Sequence, residues 1–361
     1  MIKPTTPKLT YDYVKQFLKP MEGRIITLNE LRKELHIEKE NEAFDDIRNI
    51  LHYLSREKEP VISPSGKKDG VWKVIKRVSP VSVFGIERER RPVFDLRFPK
   101  DRDTDIEIPI ADYAVIREGD LILVGGEKNS GKTTMSLNFT AENIDQSPIL
   151  MGNEFTVLVG DEKQEAKNEP SPRFLNRLDT MKKWVNWYNG NGQDKFTLLP
   201  VREDFAEHII PNRINIIDWI NIETGEHYLI GTILEGIKKK LGRGIAIVIL
   251  QKAHGKEAAR GGQFTKDFAD LEMLIDSHGE TESRITVGTC KESTGSIFGR
   301  SWAFFSSNQG TEIHNIREVV RCWNCHGKGY TNHGDCPDCR RVGWIEKKGV
   351  KEGSEKDDIP F

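Results

Sequence analysis

The sequence predicts an α/β protein built around a mainly parallel sheet with flanking helices. Near-continuous apolar segments alternate with amphipathic segments between residues 105 and 305, and several of the apolar segments end in polar residues. Strands that are apolar along their whole length are buried on both faces, as in parallel sheets covered by helices. Helix and hairpin signals before this region, and paired cysteines after it, predict a small N-terminal domain and a C-terminal module.

Length and composition are those of an ordinary globular chain. The 361 residues are 30% charged and 37% hydrophobic, which suits two or three domains. The net charge of −2 predicts no global attraction to nucleic acid, so any basic surface is local. No apolar run approaches the ~18 residues of a membrane span, and the first residues lack the apolar core of a secretory signal. We therefore expect a cytoplasmic protein without membrane partners, whose 5 cysteines are reduced or bind metal.

Composition shifts along the chain predict its division into segments. The expected order is a winged-helix-like domain at 1–78, a charged linker at 79–104, the core at 105–320, a four-cysteine module at 321–346 and a disordered acidic tail at 347–361.

The first segment carries local signals for helices and a hairpin. Thr27-Leu-Asn-Glu30 is a capping box that begins one helix, and apolar residues at helical spacing predict a second helix over 43–55. Two apolar runs around a basic turn predict a hairpin over 61–75. This order resembles a winged helix-turn-helix, which implies duplex DNA in contact with the second helix. Acidic residues between 40 and 46 favour the alternative, a winged helix that docks a protein.

The most specific motif is Gly126-Glu-Lys-Asn-Ser-Gly-Lys-Thr133, between an apolar segment and an amphipathic one. Strand, glycine loop and helix form the context of a phosphate-binding loop, in which backbone N–H groups and the helix N-terminus surround phosphate oxygens. Lysine would reach the β- and γ-phosphates, and the threonine hydroxyl would hold Mg²⁺. An ordinary glycine-rich turn would not require either residue. The motif predicts binding of ATP and Mg²⁺ by Gly126, Ser130, Gly131, Lys132, Thr133 and Thr134.

Polar side chains also follow three other predicted strands. Glu154 follows the segment 148–153, Asp218 ends Ile214-Asn-Ile-Ile-Asp218, and Gln251 follows the segment 245–250. Ligands of open α/β sheets bind at the carboxyl ends of the strands, so these side chains are expected beside the phosphate loop. Phosphoryl transfer requires charge neutralisation and a positioned water, which such a set can supply. Turn or cap residues are the alternative interpretation.

These motifs resemble the RecA/DnaB-like ATPases over roughly residues 105–305, which implies a RecA-like sheet. The resemblance implies that Glu154 polarises the attacking water and that Asp218 orders Mg²⁺ through its water shell. Gln251 would sense the γ-phosphate and transmit the signal onward.

The same resemblance implies a homo-oligomer. Lys291 begins a short loop that looks like the lysine-containing loop of hexameric helicases, where the lysine reaches the nucleotide of a neighbouring subunit. The family often has an arginine two residues later, whereas Ser293 stands there in this chain.

The segment after Gln251 is basic and rich in glycine. In RecA-like proteins the loop that follows this glutamine contacts single-stranded DNA, so the resemblance implies the same here. Cationic side chains would follow the phosphates and the aromatic ring would stack on a base. The candidates are Lys252, Lys256, Arg260, Phe264 and Lys266, and a lid that binds no nucleic acid is the alternative.

Two C-x-x-C pairs predict a zinc site formed by Cys322, Cys325, Cys336 and Cys339. The run that begins at the first pair resembles half of a DnaJ-type zinc repeat, and we take from this resemblance metal binding alone. A module this short has almost no core, so the metal is expected to supply its folding energy. A disulfide or redox pair is the alternative, and the expected compartment disfavours it. Cys290 is expected to pack as a small apolar residue.

The chain ends in Asp357-Asp358-Ile359-Pro360-Phe361. This pentapeptide resembles the acidic tip of bacterial single-stranded-DNA-binding proteins. The resemblance implies docking to bacterial replication, repair or recombination proteins, and a bacterial or phage origin. The alternative is a solubilising tail.

Taken together, the motifs favour a DNA-dependent ATPase of bacterial or phage DNA replication or recombination, similar to a helicase or a recombinase. The alternative is a nucleotide-switched adaptor or loader that docks replication or repair proteins and turns ATP over slowly.

Overall fold

The computed structural model describes residues 9–37, 43–65, 70–78, 92–160, 167–220, 229–252 and 262–347. The chain divides into two compact units, Met1–Arg88 and Glu89–Phe361. Within the described segments no helix has both the length and the apolar character needed to cross a membrane.

The first unit packs helices on a small antiparallel sheet. In chain order its elements are α1 (Tyr11–Leu18), β1 (Ile25–Thr27), α2 (Leu28–Glu34), α3 (Ala43–Arg56), β2 (Ile62–Pro64) and β3 (Val71–Val74). Strand β3 lies between β1 and β2 and pairs antiparallel with both. Thr27 and Glu30 form the predicted capping box at the start of α2. The apolar faces meet in a core that contains Leu51, Leu54 and Trp72. The sequence predicted α2, α3 and the hairpin, and missed α1 and β1.

The second unit is organised by a ten-stranded sheet. Its elements begin with β4 (Leu121–Gly126), α4 (Lys132–Glu142), β5 (Ile149–Met151), β6 (Thr156–Val159), β7 (Lys167–Pro170), α5 (Pro172–Met181), β8 (Thr197–Leu199), β9 (Ile214–Ile217) and α6 (Leu229–Lys240). They continue with β10 (Ile245–Gln251), α7 (Gln263–Phe268), β11 (Leu271–His278), β12 (Glu282–Cys290), β13 (Ser301–Ser307), β14 (Glu312–Arg321), β15 (Tyr330–Thr331), β16 (Gly334–Asp335) and β17 (Trp344–Glu346).

The sheet has a parallel half and an antiparallel half. Its strand order is β17-β14-β13-β12-β11-β4-β10-β9-β5-β8, and the six strands from β11 to β8 run parallel to one another. The other four strands are β12, β13, β14 and β17, and each pairs antiparallel with the one before it, starting from β11. Strands β6 and β7 form a separate hairpin after the end of β5.

Helices cover both faces of the parallel half, which explains its apolar strands. Ile122 and Val124 of β4 pack in the core on the face of α4, whereas Leu121 and Leu123 pack in the core on the face of α6. Successive side chains of a strand point to opposite faces, so a strand covered on both faces is apolar at every position. Two buried layers thus hold the carboxyl ends of the parallel strands in fixed positions.

Residues 92–104, the described part of the predicted linker, pack on the second unit. Phe98 is buried in its core. The backbone of Val93 forms an isolated antiparallel β-bridge with Arg117, and that of Lys100 forms one with Glu107.

The four-cysteine module continues the sheet. Strand β14 leads directly into Cys322, and β17 returns after the last cysteine to pair antiparallel with β14, with Val320 opposite Ile345. The module therefore shares its last strand with the sheet.

Candidate nucleotide site and cysteine cluster

The phosphate loop links the end of β4 to the start of α4. Asn129 and Gly131 have φ values of 64° and 96°, a left-handed conformation that glycine adopts at low cost. A Cβ atom on Gly126 would lie 2.6 Å from Ser130 Oγ and 2.7 Å from Lys132 Cγ, so only glycine fits at this turn. The loop ends at a helix N-terminus, which provides backbone donors and a positive dipole end for an anion.

Lys132 is a partly buried cation surrounded by carboxylates. Its Nζ atom donates to the carbonyl oxygen of Glu127 within the loop. Burial lowers the pKa of Lys132, while Asp218, Glu154 and Glu127 oppose this shift. A lysine with these neighbours supplies a localised positive charge beside the helix N-terminus, where phosphate groups are expected.

Asp218 follows β9 and is completely buried. Burial raises its pKa to about 6, although hydroxyl groups of Ser136 and Thr133 act in the opposite direction. Ser136 Oγ donates to Asp218 Oδ2 at 2.7 Å, whereas the buried Oδ1 has no hydrogen-bond partner in the described part of the chain. An open carboxylate oxygen beside a threonine hydroxyl is a hard oxygen donor set that suits Mg²⁺. The residues present therefore fit the predicted magnesium site.

Glu154 is brought to the same edge of the sheet. Gly152 directly follows β5, and its backbone approaches the Asp218 carbonyl oxygen so closely that a Cβ atom on this residue would overlap that oxygen. Two residues later Glu154 is exposed, and its Oε1 accepts a 2.8 Å hydrogen bond from Trp219 Nε1. The indole thus orients the carboxylate beside Asp218. The structure brings together Lys132, Thr133, Asp218 and Glu154.

Three further residues belong to this site that the sequence motifs did not predict. Ser136 and Trp219 position the two carboxylates, and Arg177 of α5 interacts electrostatically with both. Burial lowers the pKa of Arg177, and its buried Nε has no hydrogen-bond partner among the described residues. Ser136 lies one helical turn after Lys132, a spacing that the sequence does show. No local signal marks Arg177.

The other predicted nucleotide residues lie close by. Thr134 is buried, and a Cβ atom on Gly310 would lie 2.7 Å from its Oγ1, so its side chain packs against the β13–β14 turn. Gln251 ends β10 directly opposite Gly126 and is partly exposed.

The predicted DNA-binding residues have different environments. Lys252 is 5% exposed, and its Nζ forms an ion pair with Asp276, so this side chain is engaged within the protein. Lys266 is partly exposed on α7 and acts electrostatically on the buried Glu272. Phe264 belongs to α7, and its side chain is not among those described. Lys256 and Arg260 lie outside the described residues, as does the tail from Asp357 to Phe361.

Lys291 lies near the amino ends of the parallel strands, whereas the phosphate loop lies at their carboxyl ends. It follows Cys290, which pairs with Leu271 at the start of β11, and β11 is parallel to β4. The length of β4, roughly 20 Å at ~3.3 Å per residue, therefore separates it from the loop. Its Nζ lies 3.2 Å from Asp270 Oδ1. Lys291 is thus far from the phosphate loop of its own chain.

The four predicted zinc ligands form one buried cluster. All four Sγ atoms lie within 4.8 Å of one another, with 3.7 Å between Cys322 and Cys336 and 3.5 Å between Cys325 and Cys339. Tetrahedral zinc with Zn–S bonds of ~2.3 Å requires sulfur atoms about 3.8 Å apart, and a disulfide requires ~2.05 Å. Backbone N–H groups of Gly329 and Gly343 each donate to a cysteine sulfur at 3.2 Å. The cluster fits Zn²⁺ and does not fit a disulfide pair.

The raised pKa of Asp218 predicts a trade of stability for metal binding. Its folded pKa of about 6 exceeds the ordinary value of 3.8, so burial of the charge lowers stability as the pH rises from about 4 to 6. Without nucleotide and Mg²⁺, Asp218→Asn should raise the free energy of unfolding at pH 7.5 by about 1–3 kcal/mol. Thermal unfolding at pH 7.5 and pH 4 measures this, and the difference should shrink to about a fifth at pH 4, close to the ordinary pKa of 3.8. A lower melting temperature of the variant at pH 7.5 would contradict the assignment.

Comparisons with known proteins give distant similarity to solved structures only. No protein-family model and no curated protein sequence matches the chain. The RadB recombinase structure is 15% identical, with 56% of this chain and 92% of that chain covered, at a TM-score of 0.39. The KaiC-like protein PH0186 from Pyrococcus horikoshii OT3 is 16% identical, with 62% and 99% covered, at a TM-score of 0.41. Because these values are low, the fold class rests on the strand order, the helices on both faces and the cysteine cluster. The chain has the α/β fold with a mainly parallel, helix-covered sheet that the sequence predicts.

Proposed function

We propose that the chain is a Mg²⁺-dependent ATPase that acts on DNA in bacterial or phage replication or recombination. The observation that carries the proposal is the convergence of Lys132, Thr133, Asp218 and Glu154 at the carboxyl edge of the parallel strands. Bound Mg²⁺ would supply charge neutralisation at the phosphates. Lys132 would bind the β- and γ-phosphate oxygens, Thr133 and Asp218 would hold the metal, and Glu154 would orient the attacking water. Gln251 would sense the γ-phosphate next to Gly126.

Single-stranded DNA is the proposed partner of the loop that begins at Lys252. Burial of Lys252 in an ion pair favours a role for this side chain as an anchor of the loop. The proposed contacts to DNA are then Lys256, Arg260, Phe264 and Lys266. Since Gln251 precedes the loop and lies opposite Gly126, a change at the γ-phosphate has a short route to the DNA contacts.

Further proposals concern assembly and the N-terminal unit. The distance of Lys291 from its own phosphate loop supports contact with the nucleotide of a neighbouring copy in a head-to-tail homo-oligomer. The order of helices followed by a hairpin supports a winged helix that contacts duplex DNA or docks a protein.

Stimulation by DNA tests the proposed function. Single-stranded DNA should raise the turnover of ATP at least about 10-fold, because ordering the loop links DNA to the γ-phosphate sensor. The double variant Lys256→Ala, Arg260→Ala should lose most of this stimulation. Replacement of the exposed Lys183, outside the loop, serves as the matched control and should retain it.

A flat response to DNA at slow turnover would support the second candidate, a nucleotide-switched adaptor. One observation favours that candidate: Ser293 follows Lys291 where an arginine is common in the family, and Asp270 already binds Lys291. The absence of any turnover would contradict both candidates as enzymes.

The C-terminal pentapeptide is proposed to dock a bacterial replication or repair protein. The apolar ring of Phe361 suits a pocket with a basic rim, which Asp357 and Asp358 would contact. Deletion of 357–361 should remove binding to a bacterial protein that binds the tip of single-stranded-DNA-binding protein, and should leave ATP turnover unchanged. A control protein with a glycine-serine replacement of equal length should behave like the deletion. Unaltered binding in a pull-down would contradict the docking role.

A further inference from the structure

Charged side chains form a row beside the phosphate loop. Gln251, Gly126 and Ile275 lie in register on β10, β4 and β11, and the residue that follows each of them is charged: Lys252, Glu127 and Asp276. Asp276 is in turn opposite Arg284 of β12. Asp276 joins the two cations of the row: one carboxylate oxygen forms an ion pair with Lys252, and the other lies 3.0 Å from an Arg284 nitrogen.

The row is mostly shielded from solvent. The side chains of Lys252 and Arg284 are 4% and 12% exposed, and that of Asp276 is 20% exposed. If one member of a buried charge network moves away, its partner is left as an uncompensated buried charge, which is costly. The members of this row are therefore expected to change position together.

This row contacts the proposed nucleotide site on one side. Glu127 and Arg284 attract each other electrostatically. The carbonyl oxygen of Glu127 accepts hydrogen bonds from the Lys132 ammonium group and from the Ser130 hydroxyl. The backbone N–H of Lys252 donates to the carbonyl oxygen of Gly126 at 2.8 Å. The row therefore joins the phosphate loop to the first residue of the proposed DNA loop.

On the other side, the row contacts the four-cysteine module. The Arg284 guanidinium carbon lies 3.9 Å from the ring centre of Trp344, which directly follows the glycine that donates to Cys339. A Cβ atom on Gly279, in the β11–β12 turn, would lie 3.6 Å from Val342 Cγ2, so the segment after the second cysteine pair packs against this turn. Stacking on an indole ring stabilises a guanidinium and fixes its plane.

We propose that Trp344 and Arg284 are positioning residues through which the zinc module fixes the start of the DNA loop against the phosphate loop. Trp344 holds Arg284, Arg284 orients Asp276, and Asp276 holds Lys252 beside Gly126. Release of the metal unfolds the short module, removes the ring from Arg284 and loosens Lys252. This inference deepens the proposed function, on which it depends for the role of the loop.

Amide hydrogen exchange tests the contact independently of ATP hydrolysis. In the full chain with zinc bound, Trp344→Ala should speed exchange of the Lys252 amide about 10-fold, because Arg284 then no longer fixes Asp276, the ion-pair partner of Lys252. Trp344→Phe keeps a ring for stacking and should restore slow exchange. Trp323→Ala is the matched control, since Trp323 is 69% exposed in the same module, and it should exchange like the unmodified protein.

Arg284→Gln provides a second route if Trp344→Ala loses zinc. It leaves the module intact and should give the same faster exchange at Lys252. Normal exchange in the zinc-loaded Arg284→Gln protein, or equal effects of the two tryptophan variants, would overturn the proposal.

A kinetic measurement connects the contact to the proposed activity. Trp344→Ala should lower the DNA-stimulated kcat about 10-fold with a smaller change in KM for ATP, since it moves the loop and leaves Lys132 in place. The two failures are distinguishable. If DNA does not stimulate ATP turnover by the unmodified protein, the proposed function fails. The hydrogen-exchange result still tests whether Trp344 and Arg284 position Lys252. If the protein is stimulated by DNA and Trp344→Ala is stimulated equally, the coupling fails alone.

Discussion

Lys132→Ala should lower the rate of ATP hydrolysis about 100- to 1000-fold, the loss typical of removing one preorganised donor to developing charge. Lys132 is the cation that the structure holds at the start of α4, half surrounded by Asp218, Glu154 and Glu127. Without it, three carboxylates would face the triphosphate, and only backbone donors and Mg²⁺ would oppose their charge. Both the affinity for ATP and the turnover number should fall, measured by binding of a fluorescent nucleotide and by phosphate release.

Lys128→Ala is the matched control, because Lys128 is an exposed lysine of the same loop. Its effect on turnover should stay within about threefold, because solvent screens the charge of an exposed side chain. Far-ultraviolet circular dichroism of both variants checks that the fold is kept. Full turnover by Lys132→Ala would remove the assignment of the phosphate loop as the catalytic site.

Cys325→Ser should abolish zinc binding and unfold the module. The protein is expected to carry one zinc ion per chain, and binding free energies of structural zinc sites reach about 10–16 kcal/mol at pH 7. In this module the only buried cluster consists of the four cysteines with Ile345 packed against them, so little else holds the described segment together. Metal analysis and tryptophan fluorescence, sensitive to Trp344 and Trp323, follow the loss.

Cys290→Ser provides the control for the same chemical change. Cys290 lies at the end of β12, where burial raises the pKa of its thiol and keeps it protonated. This variant should retain one zinc ion per chain. Equal zinc content in the Cys325→Ser and unmodified proteins would show that the cluster is not the metal site.

Local patterns were sufficient to predict the elements that carry the phosphate loop. Strands β4, β5, β9 and β10 are short apolar runs, and each ends where the chain changes to polar residues. Strand β11 was missed because its apolar run is broken by Glu272 and Asp276, although it lies buried between β4 and β12. The pattern of β14 is similarly polar, with partial exposure at the sheet margin.

The candidate site was predictable wherever it depends on strand ends. Parallel topology alone brings Asp218 and Glu154 to the phosphate loop. Lys252 shows where this reasoning stops: it was interpreted as a phosphate contact because its segment is basic and glycine-rich, yet its partner Asp276 lies on another strand. Arg177 reaches the site from a helix that the sequence did not reveal. Such neighbours are set by packing between segments distant in the chain, which no local pattern encodes.

The pairing of β17 with β14 affects how this protein should be shortened for experiments. A truncation after residue 320 would remove more than a metal-binding appendage, because it would also remove β17 and leave the backbone groups at the end of β14, around Val319 and Val320, without their strand partner. Such an open margin recruits strands from other molecules, so insolubility of that fragment would reflect a damaged sheet. Substitutions within the intact chain are the cleaner way to remove the module's influence.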